Sequence, residues 1–458
     1  MDPFFHSFQE LLDHMAESCP DRIALRFSPD AKESHLTYRE LRDEVVRRKE
    51  RILDEATAGD FPPAIRMEAG RTVLLTGKTD LNWILNLLAS VTAGCMTVLS
   101  DPSRPKDQVQ KEWEKRRGPY YPGALLFYTS GTTNRGKAVV LTQESLLRAA
   151  WNGQSMLPCQ KEDRLLSVLP LNHVFGFVCA FLWPLTQGAE IDLGTGLRGL
   201  LTDCGKYKPT ILTCVPTLLG LFLQADVLNP ELRMVLVGAG PCDPDLVNAV
   251  LKKGIHLRFG YGLTETSSGV AISIEDSDPY GFVPCPDTSF RITEEGELLL
   301  KTPCMMQGYY DLPDKTEEKL IQGELHTGDL ASLDEKGRIH ILGRIKDVLV
   351  LPNGEKIFCP EVEAALQKVL LDSVEIALLL DHKKLALAVR RKKEDQGKAF
   401  HGLTPEEAVD QWNAGESLGR RIQKILYLEE EFPRTTTGKL KRYLLQEMVE
   451  NRKSAGRN

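Results

Sequence analysis

No cysteine pair of the C-x-x-C kind occurs in this chain, whose 10 cysteines are scattered along it. Nor do its 9 histidines fall at H-E-x-x-H or any other metal-ligand spacing. These absences argue against a disulfide framework and a structural zinc site, and the thiols are expected to be reduced and buried. The opening MDPFFHSFQELLDHM lacks a positive n-region and a long apolar h-region, so no secretion signal is expected and the reading is cytoplasmic. Basic charge is not in excess: 57 Lys and Arg against 64 Asp and Glu leave a formal net charge of −7. That balance gives no support to a nucleic-acid or anionic-membrane partner.

Unbroken apolar runs are missing too. Residues 81–100 and 167–189 are free of Asp, Glu, Lys and Arg and long enough to cross a bilayer, but the first holds Asn82, Asn86 and Gly94, and the second Pro170, Asn172, His173 and Pro184. Such groups are costly in lipid, so both stretches are read as buried helix-plus-strand pieces and no integral membrane span is expected. What remains is the composition of a globular protein, 42% hydrophobic and 26% charged over 458 residues. A chain of that length divides into two or three domains at roughly 150 residues each.

The stretch that organises the rest is residues 128–142, YTSGTTNRGKAVVLT. Apolar strands are predicted on either side, so the polar residues form a tight loop between them. Ser130, Thr132 and Thr133 offer hydroxyls, Gly131 and Gly136 let backbone N–H groups turn inward, and Arg135 and Lys137 add positive charge. A nucleoside triphosphate is the natural guest of such a loop. The G-x-x-x-x-G-K frame of a P-loop is present over 131–137, but Ala138 stands where magnesium needs Ser or Thr. The apolar, β-branched run that follows predicts a strand where a P-loop requires a helix N-terminus.

T-S-G-T-T followed by a basic residue and a short apolar strand resembles the phosphate loop of the adenylate-forming superfamily, which contains acyl- and aryl-CoA synthetases, luciferases and stand-alone adenylation domains. The match departs from the usual pattern at Asn134, Gly136 and Ala138. Other motifs of that family follow in order. The opening PDRIALRF…LTYREL is similar to its start, and Thr37 with Glu40 predicts a capping box. LPLNHVFG resembles its substrate-side motif, in which His173 lines the passage between the acyl group and the α-phosphate; a satisfied core histidine is the plainer alternative. KPTILTCVPTLLGLF resembles the strand and helix that wall the acyl pocket.

Gly238, Ala239 and Gly240 end a predicted strand, where missing side chains allow a flat ring to approach. RFGYGLTET, around Gly260, Tyr261, Gly262, Thr264 and Glu265, matches the family's most distinctive nucleotide motif. In it Tyr261 can stack on adenine, Thr264 can hydrogen-bond the α-phosphate, and Glu265 can hold Mg²⁺ through oxygen. Thr327-Gly328-Asp329, predicted at the end of a strand, suits Asp329 to both ribose hydroxyls. Gly343-Arg344-Ile345-Lys346-Asp347 resembles the junction between large and small domains, which makes Arg344 a second ribose contact and Lys346 the hinge. Thr435-Thr436-Thr437-Gly438-Lys439 resembles the last motif, in which Lys439 bridges the substrate carboxylate and the α-phosphate. Gly194 to Gly199 also fits G-x-G-x-x-G, but no acidic residue ends a following strand, so it is read as a turn and helix start.

The expected fold is α/β: a large N-terminal domain over 1–345 of stacked mixed and parallel sheets with helices, and a small, mobile C-terminal α+β domain over 346–458. Thr129, Ser130, Gly131, Thr132, Thr133 and Lys137 join the residues above in the expected nucleotide site. The resemblance implies ATP and Mg²⁺, with CoA or a carrier protein's phosphopantetheine as the thiol co-substrate. Amino-acid-activating relatives carry an Asp beside the PLN motif to hold the α-amine, and this chain has no acid between Val168 and Gln187. A plain carboxylic acid with an apolar tail is therefore expected, a medium- or long-chain fatty acid first. An aryl acid is the alternative, and a nucleotide-binding homologue without full catalysis is another. The interval 101–122 is shorter than is usual in the family, and what covers the sheet there is left open.

Overall fold

The computed structural model describes residues 4–28, 33–54, 64–67, 70–102, 104–129, 136–196, 199–240, 242–370, 374–391, 402–434 and 440–455. Local signals in the chain are reproduced in detail. Thr37 caps the helix Tyr38–Leu53: its Oγ1 accepts from the Glu40 amide at 3.2 Å while Glu40 Oε2 accepts from the Thr37 amide at 2.8 Å. Both partners relieve helix-end donors that would otherwise be unpaired.

Two large sheets build most of the chain. The longer one has fourteen strands, and its middle runs Glu190–Leu193, Arg164–Ser167, Ile211–Cys214, Met234–Val237, His256–Leu263 in parallel before turning antiparallel. His256–Leu263 is the joint: Phe259 pairs in parallel with Val237, and Gly260 antiparallel with Ile272. The second sheet has six strands in the order Gly308–Tyr309, Ala138–Leu141, Leu125–Tyr128, Met96–Leu99, Gly70–Leu75, Ala64–Met67. The chain enters and leaves the phosphate-loop segment through two adjacent antiparallel strands, with Tyr128 opposite Ala138. The strand predicted after the loop is therefore present, and a P-loop helix is not.

Alternation along the six-stranded sheet divides its side chains between two cores, as a two-residue period demands. Val73, Leu75, Leu99, Phe127, Val139 and Leu141 face the main core, which they share with the helices Leu81–Thr92 and Gln143–Met156 and with the long sheet. Leu74, Met96, Val98, Leu126 and Val140 face the other way. The shortened interval answers for that second face. It folds as a helix, Lys106–Trp113, whose Val109 and Trp113 are fully buried against those residues and Tyr310.

One prediction is corrected by the topology. Thr327-Gly328-Asp329 does not end a strand but lies in the middle of Glu324–Leu333. The strand survives its glycine because Gly328 sits at φ +72° and a bulge follows between Leu330 and Ala331, while Asp329 still pairs with Arg344 of Ile339–Arg344. Residues 334–337 turn the chain into the next strand, with the Gly337 amide donating to the Asp334 carbonyl at 3.0 Å.

Beyond residue 348 the chain builds separate cores. Val374–Asp381, Lys384–Arg391 and Lys424–Tyr427 form a three-stranded sheet. Ile376, Leu378, Leu387 and Val389 pack on the helices Cys359–Leu370 and Pro405–Ala414. Ala377, Leu379, Ala386 and Ala388 pack on Leu445 and Val449 of the last helix. The first of those helices starts at Cys359 and carries Pro360 in its first turn, where a missing amide hydrogen costs nothing.

Candidate active site

The phosphate-loop segment closes at its base by two hydrogen bonds: the Thr129 amide donates to the Lys137 carbonyl at 2.9 Å, and the Lys137 amide donates to Thr129 Oγ1 at 3.2 Å. Gly136 is at φ +47°, and a Cβ there would come within 2.6 Å of the Thr129 carbonyl, so the closure needs glycine. Ser130, Gly131, Thr132 and Thr133 lie outside the described residues, as does Lys439.

Lys137 does not stand alone. Its ammonium lies 3.8 Å from the centroid of the Tyr309 ring, and the Tyr309 hydroxyl donates to Glu265 Oε1 at 2.6 Å. Pairing of Tyr309 with Val139 brings that ring beside the loop. Glu265 sits in the turn Thr264–Thr266 directly after His256–Leu263, buried, and its backbone carbonyl accepts from Met306 at 2.8 Å. Its Oε2 accepts no hydrogen bond among the described residues, which leaves a hard oxygen of the kind Mg²⁺ takes. Burial drives the Lys137 ammonium below the usual lysine range, opposed by the charge of Glu265. The Tyr309 hydroxyl is held far above the usual range by burial and by Glu265, so it stays a donor.

A second cluster lies one turn away. The Tyr261 hydroxyl donates to Asp329 Oδ2 at 2.7 Å, and Arg344 Nε lies 2.6 Å from Asp329 Oδ1. Burial and the carboxylate together raise the Tyr261 hydroxyl well above its usual range. Asp329 is itself buried, and its amide donates to Thr327 Oγ1 at 3.0 Å. Each carboxylate oxygen accepts more than one hydrogen bond, so a diol could still be held beside Tyr261 and Arg344. The Tyr261 ring packs 6.0 Å from Phe282. Gly260 pairs with Ile272, while the exposed backbone of Gly262 follows a bulge and leaves no space for a Cβ against Ser268.

The substrate-side motif meets the Gly238 turn. A Cβ on Gly238 would reach 2.6 Å from Cζ of Phe175, so the outer end of that ring fills the space a side chain would need. Ala239 is exposed with φ +68°, and Gly240 has open space around it. His173 is half-buried at the start of the short helix Val174–Phe177, and burial lowers its pKa while Asp101 opposes the shift. A small apolar cavity follows along the same segment, lined by Gly153, Val178, Trp183, Leu236, Gly269 and Ile272, with no charged side chain. Lys346 is exposed in the turn Ile345–Asp347. The loop bearing Lys439 is closed at its base by a bridge between Arg434 and Leu440.

Tyr309 stands inside the first cluster and Lys319 Nζ lies beside Gly328, 3.7 Å from where a Cβ would be, and the sequence marked neither. The only signal for Tyr309 was an aromatic pair after Gly308 in MMQGYY, too short to carry a role. Lys319 had no signal at all.

The family model for AMP-binding enzymes matches residues 122–310. A 2-succinylbenzoate–CoA ligase of Bacillus velezensis is 32% identical over 349 residues, covering 71% of this chain and 69% of that protein. A long-chain-fatty-acid–CoA ligase of Yersinia pestis is 30% identical over 354 residues, covering 71% of this chain and 61% of that protein. An O-succinylbenzoate coenzyme A synthetase from Bacillus subtilis, solved in complex with ATP and magnesium ion, superposes with a TM-score of 0.76 at 21% identity, covering 95% of this chain and 98% of that one. The two large sheets with helices and the smaller C-terminal portion of this chain are the fold expected from the sequence.

Proposed function

Because this chain belongs to the AMP-binding enzyme family, we propose that it is an adenylate-forming acid–CoA ligase whose acid has an aromatic, largely apolar body. One observation supports it above all: two largely buried clusters, Lys137–Tyr309–Glu265 and Tyr261–Asp329–Arg344, are built on the same short stretch of chain, with Tyr261 four residues before Glu265. A fatty acid was the first expectation. It yields to the aryl acid because a relative at 32% identity is a succinylbenzoate ligase, although the fatty-acid ligase at 30% keeps the aliphatic acid as a second reading.

In this reading Asp329 and Arg344 hold the ribose, Tyr261 and the Gly238 turn frame the base, and Thr264, Thr129 and Lys137 meet the phosphates together with the hydroxyls of Ser130, Thr132 and Thr133. Glu265 would hold Mg²⁺, and the ion when bound would neutralise phosphate charge. His173 and the apolar cavity orient the acid. A carboxylate oxygen then attacks the α-phosphorus, the bond to the β-phosphate oxygen breaks, and pyrophosphate leaves with the electron pair. No protein nucleophile is needed, since positioning and charge stabilisation lower the barrier. Lys439 steadies the two approaching anions. In the second step the thiol sulfur of CoA attacks the acyl carbon, the proton passes to solvent, and AMP departs. We place the boundary between the two domains at residues 345 and 346, with Lys346 as the hinge. The separate cores on either side of residue 348 support that boundary.

The test is pyrophosphate release over a panel of benzoates, cinnamates, 2-succinylbenzoate and short to long fatty acids. Aryl acids are expected to lead in kcat/KM by about tenfold, the scale a shaped pocket discriminates. A fatty acid in first place would reverse the two readings, and ATP binding with no pyrophosphate from any acid would favour a homologue without catalysis.

A further inference from the structure

Lys319 carries a positive charge into the site from a segment that no motif marks. It lies between the short helix Pro313–Glu317 and the two-residue strand Leu320–Ile321, and two backbone hydrogen bonds fix it. Its amide donates to the Thr316 carbonyl at 3.0 Å, and its own carbonyl accepts from the His326 amide at 2.9 Å. Thr316 Oγ1 in turn accepts from the Tyr309 amide at 2.9 Å, so the segment that holds Lys319 also holds the ring under Lys137. The ammonium reaches over Gly328: a Cβ built on that glycine would lie 3.7 Å from Lys319 Nζ.

This side chain is half-buried and makes no ion pair among the described residues. Burial lowers its pKa and the Arg344 charge adds to the drop, while the fields of Glu265, Asp329 and Glu297 oppose it. The carboxylates around it are engaged elsewhere: Asp329 is paired with Arg344, Glu297 accepts from the Gly328 amide at 2.9 Å and lies 3.1 Å from His326 Nδ1, and Glu265 accepts from Tyr309, so the Lys319 ammonium feels their fields with none of them in ion-pair contact. A desolvated cation without a counter-ion is unfavourable, and a bound anion removes the cost.

We propose that Lys319 is a second cationic anchor for the β- and γ-phosphates of the bound nucleotide, acting beside Lys137 between the ribose carboxylate Asp329 and the metal carboxylate Glu265. The inference rests on the nucleotide reading above. A lysine suits the task because a compact ammonium at the end of a long stem can follow phosphates from the triphosphate to departing pyrophosphate.

Equilibrium binding of ATP with magnesium and of AMP to the full chain tests it, on the wild type, Lys319→Gln and Lys319→Arg. Lys319→Gln is expected to weaken ATP about tenfold while AMP stays within about twofold, and Lys319→Arg is expected to restore ATP to within about threefold. Retained AMP affinity also reports that the variant is folded. Unchanged ATP binding in Lys319→Gln, or equal weakening of ATP and AMP, overturns the role of Lys319 and leaves the nucleotide reading intact. A wild type that binds neither nucleotide overturns that reading and this inference with it.

Discussion

Asp192 is the residue whose chemistry is least at ease in this fold. It lies in the interior strand Glu190–Leu193 opposite Arg26, its side chain is 1% exposed, and neither carboxylate oxygen has a hydrogen bond among the described residues. Arg26 Nε stands 3.4 Å from Oδ1 but donates instead to Glu190 at 2.5 Å. Burial pushes the carboxyl up to about 8, and Glu190 adds to the rise while Arg26 and Arg164 oppose it. The folded protein therefore holds a proton that the unfolded chain, with a carboxyl near ~3.9, has lost. The contribution to stability is fully present below about pH 4 and is lost as pH rises through about 8. Asp192→Asn removes the titration at nearly constant shape. Urea unfolding should find it more stable than wild type by about 5 kcal/mol at alkaline pH, the linkage value of a carboxyl raised from ~3.9 to about 8, the gain shrinking as pH falls. A constant difference across pH would count against the assignment. Tyr309 makes the opposite point: a buried carboxylate, Glu265, is kept comfortable by a single hydroxyl that no sequence spacing announced.

Among the elements, the helix Lys106–Trp113 shows how a short connection substitutes for a longer one. Trp113 is buried against Tyr310 with ring centroids 4.9 Å apart, and its Nε1 donates to the Tyr128 hydroxyl at 2.9 Å. The sheet face it covers would otherwise expose Leu74, Val98, Leu126 and Val140. Trp113→Ala should cost about 3 to 5 kcal/mol of global stability, read by urea unfolding. A loss below ~1 kcal/mol would mean that another segment seals the face. Element identity was legible wherever a cap or a two-residue alternation spoke, as at Thr37 and along Leu125–Tyr128. It was not legible where geometry depended on a partner. Asp329 was expected at a strand end because Gly328 reads as punctuation, yet pairing with Ile339–Arg344 carries the strand past it. His382 and Lys383 both adopt positive φ, 51° and 64°, to turn a tight hairpin without any glycine.

At the scale of the whole molecule, chemistry divided between two sets of cores implies that a side chain from one must visit the other. The proposed visitor is Lys439, so the two half-reactions should separate. Lys439→Ala is expected to reduce adenylate formation by at least about a hundredfold, measured as pyrophosphate release. Thioester formation from supplied acyl-adenylate should stay within about threefold of wild type. Equal loss in both steps would place Lys439 outside the first reaction alone and weaken the proposed swing about Lys346.

The sequence by itself determined the chemistry on offer: a hydroxyl- and glycine-rich loop between strands, a Thr-Glu turn after Gly-Tyr-Gly, an acid in Thr-Gly-Asp and an arginine in Gly-Arg-Ile-Lys-Asp. These signals are local, since backbone conformation and side-chain type act over a few residues. Tertiary structure alone decided which charges meet. Tyr309 joins Lys137 to Glu265 only through a strand pairing across some 170 residues of chain. Lys319 enters the site only because a short helix folds back against that same tyrosine. Contacts between distant segments depend on sheet register and burial, and neither is written in any single stretch of the chain.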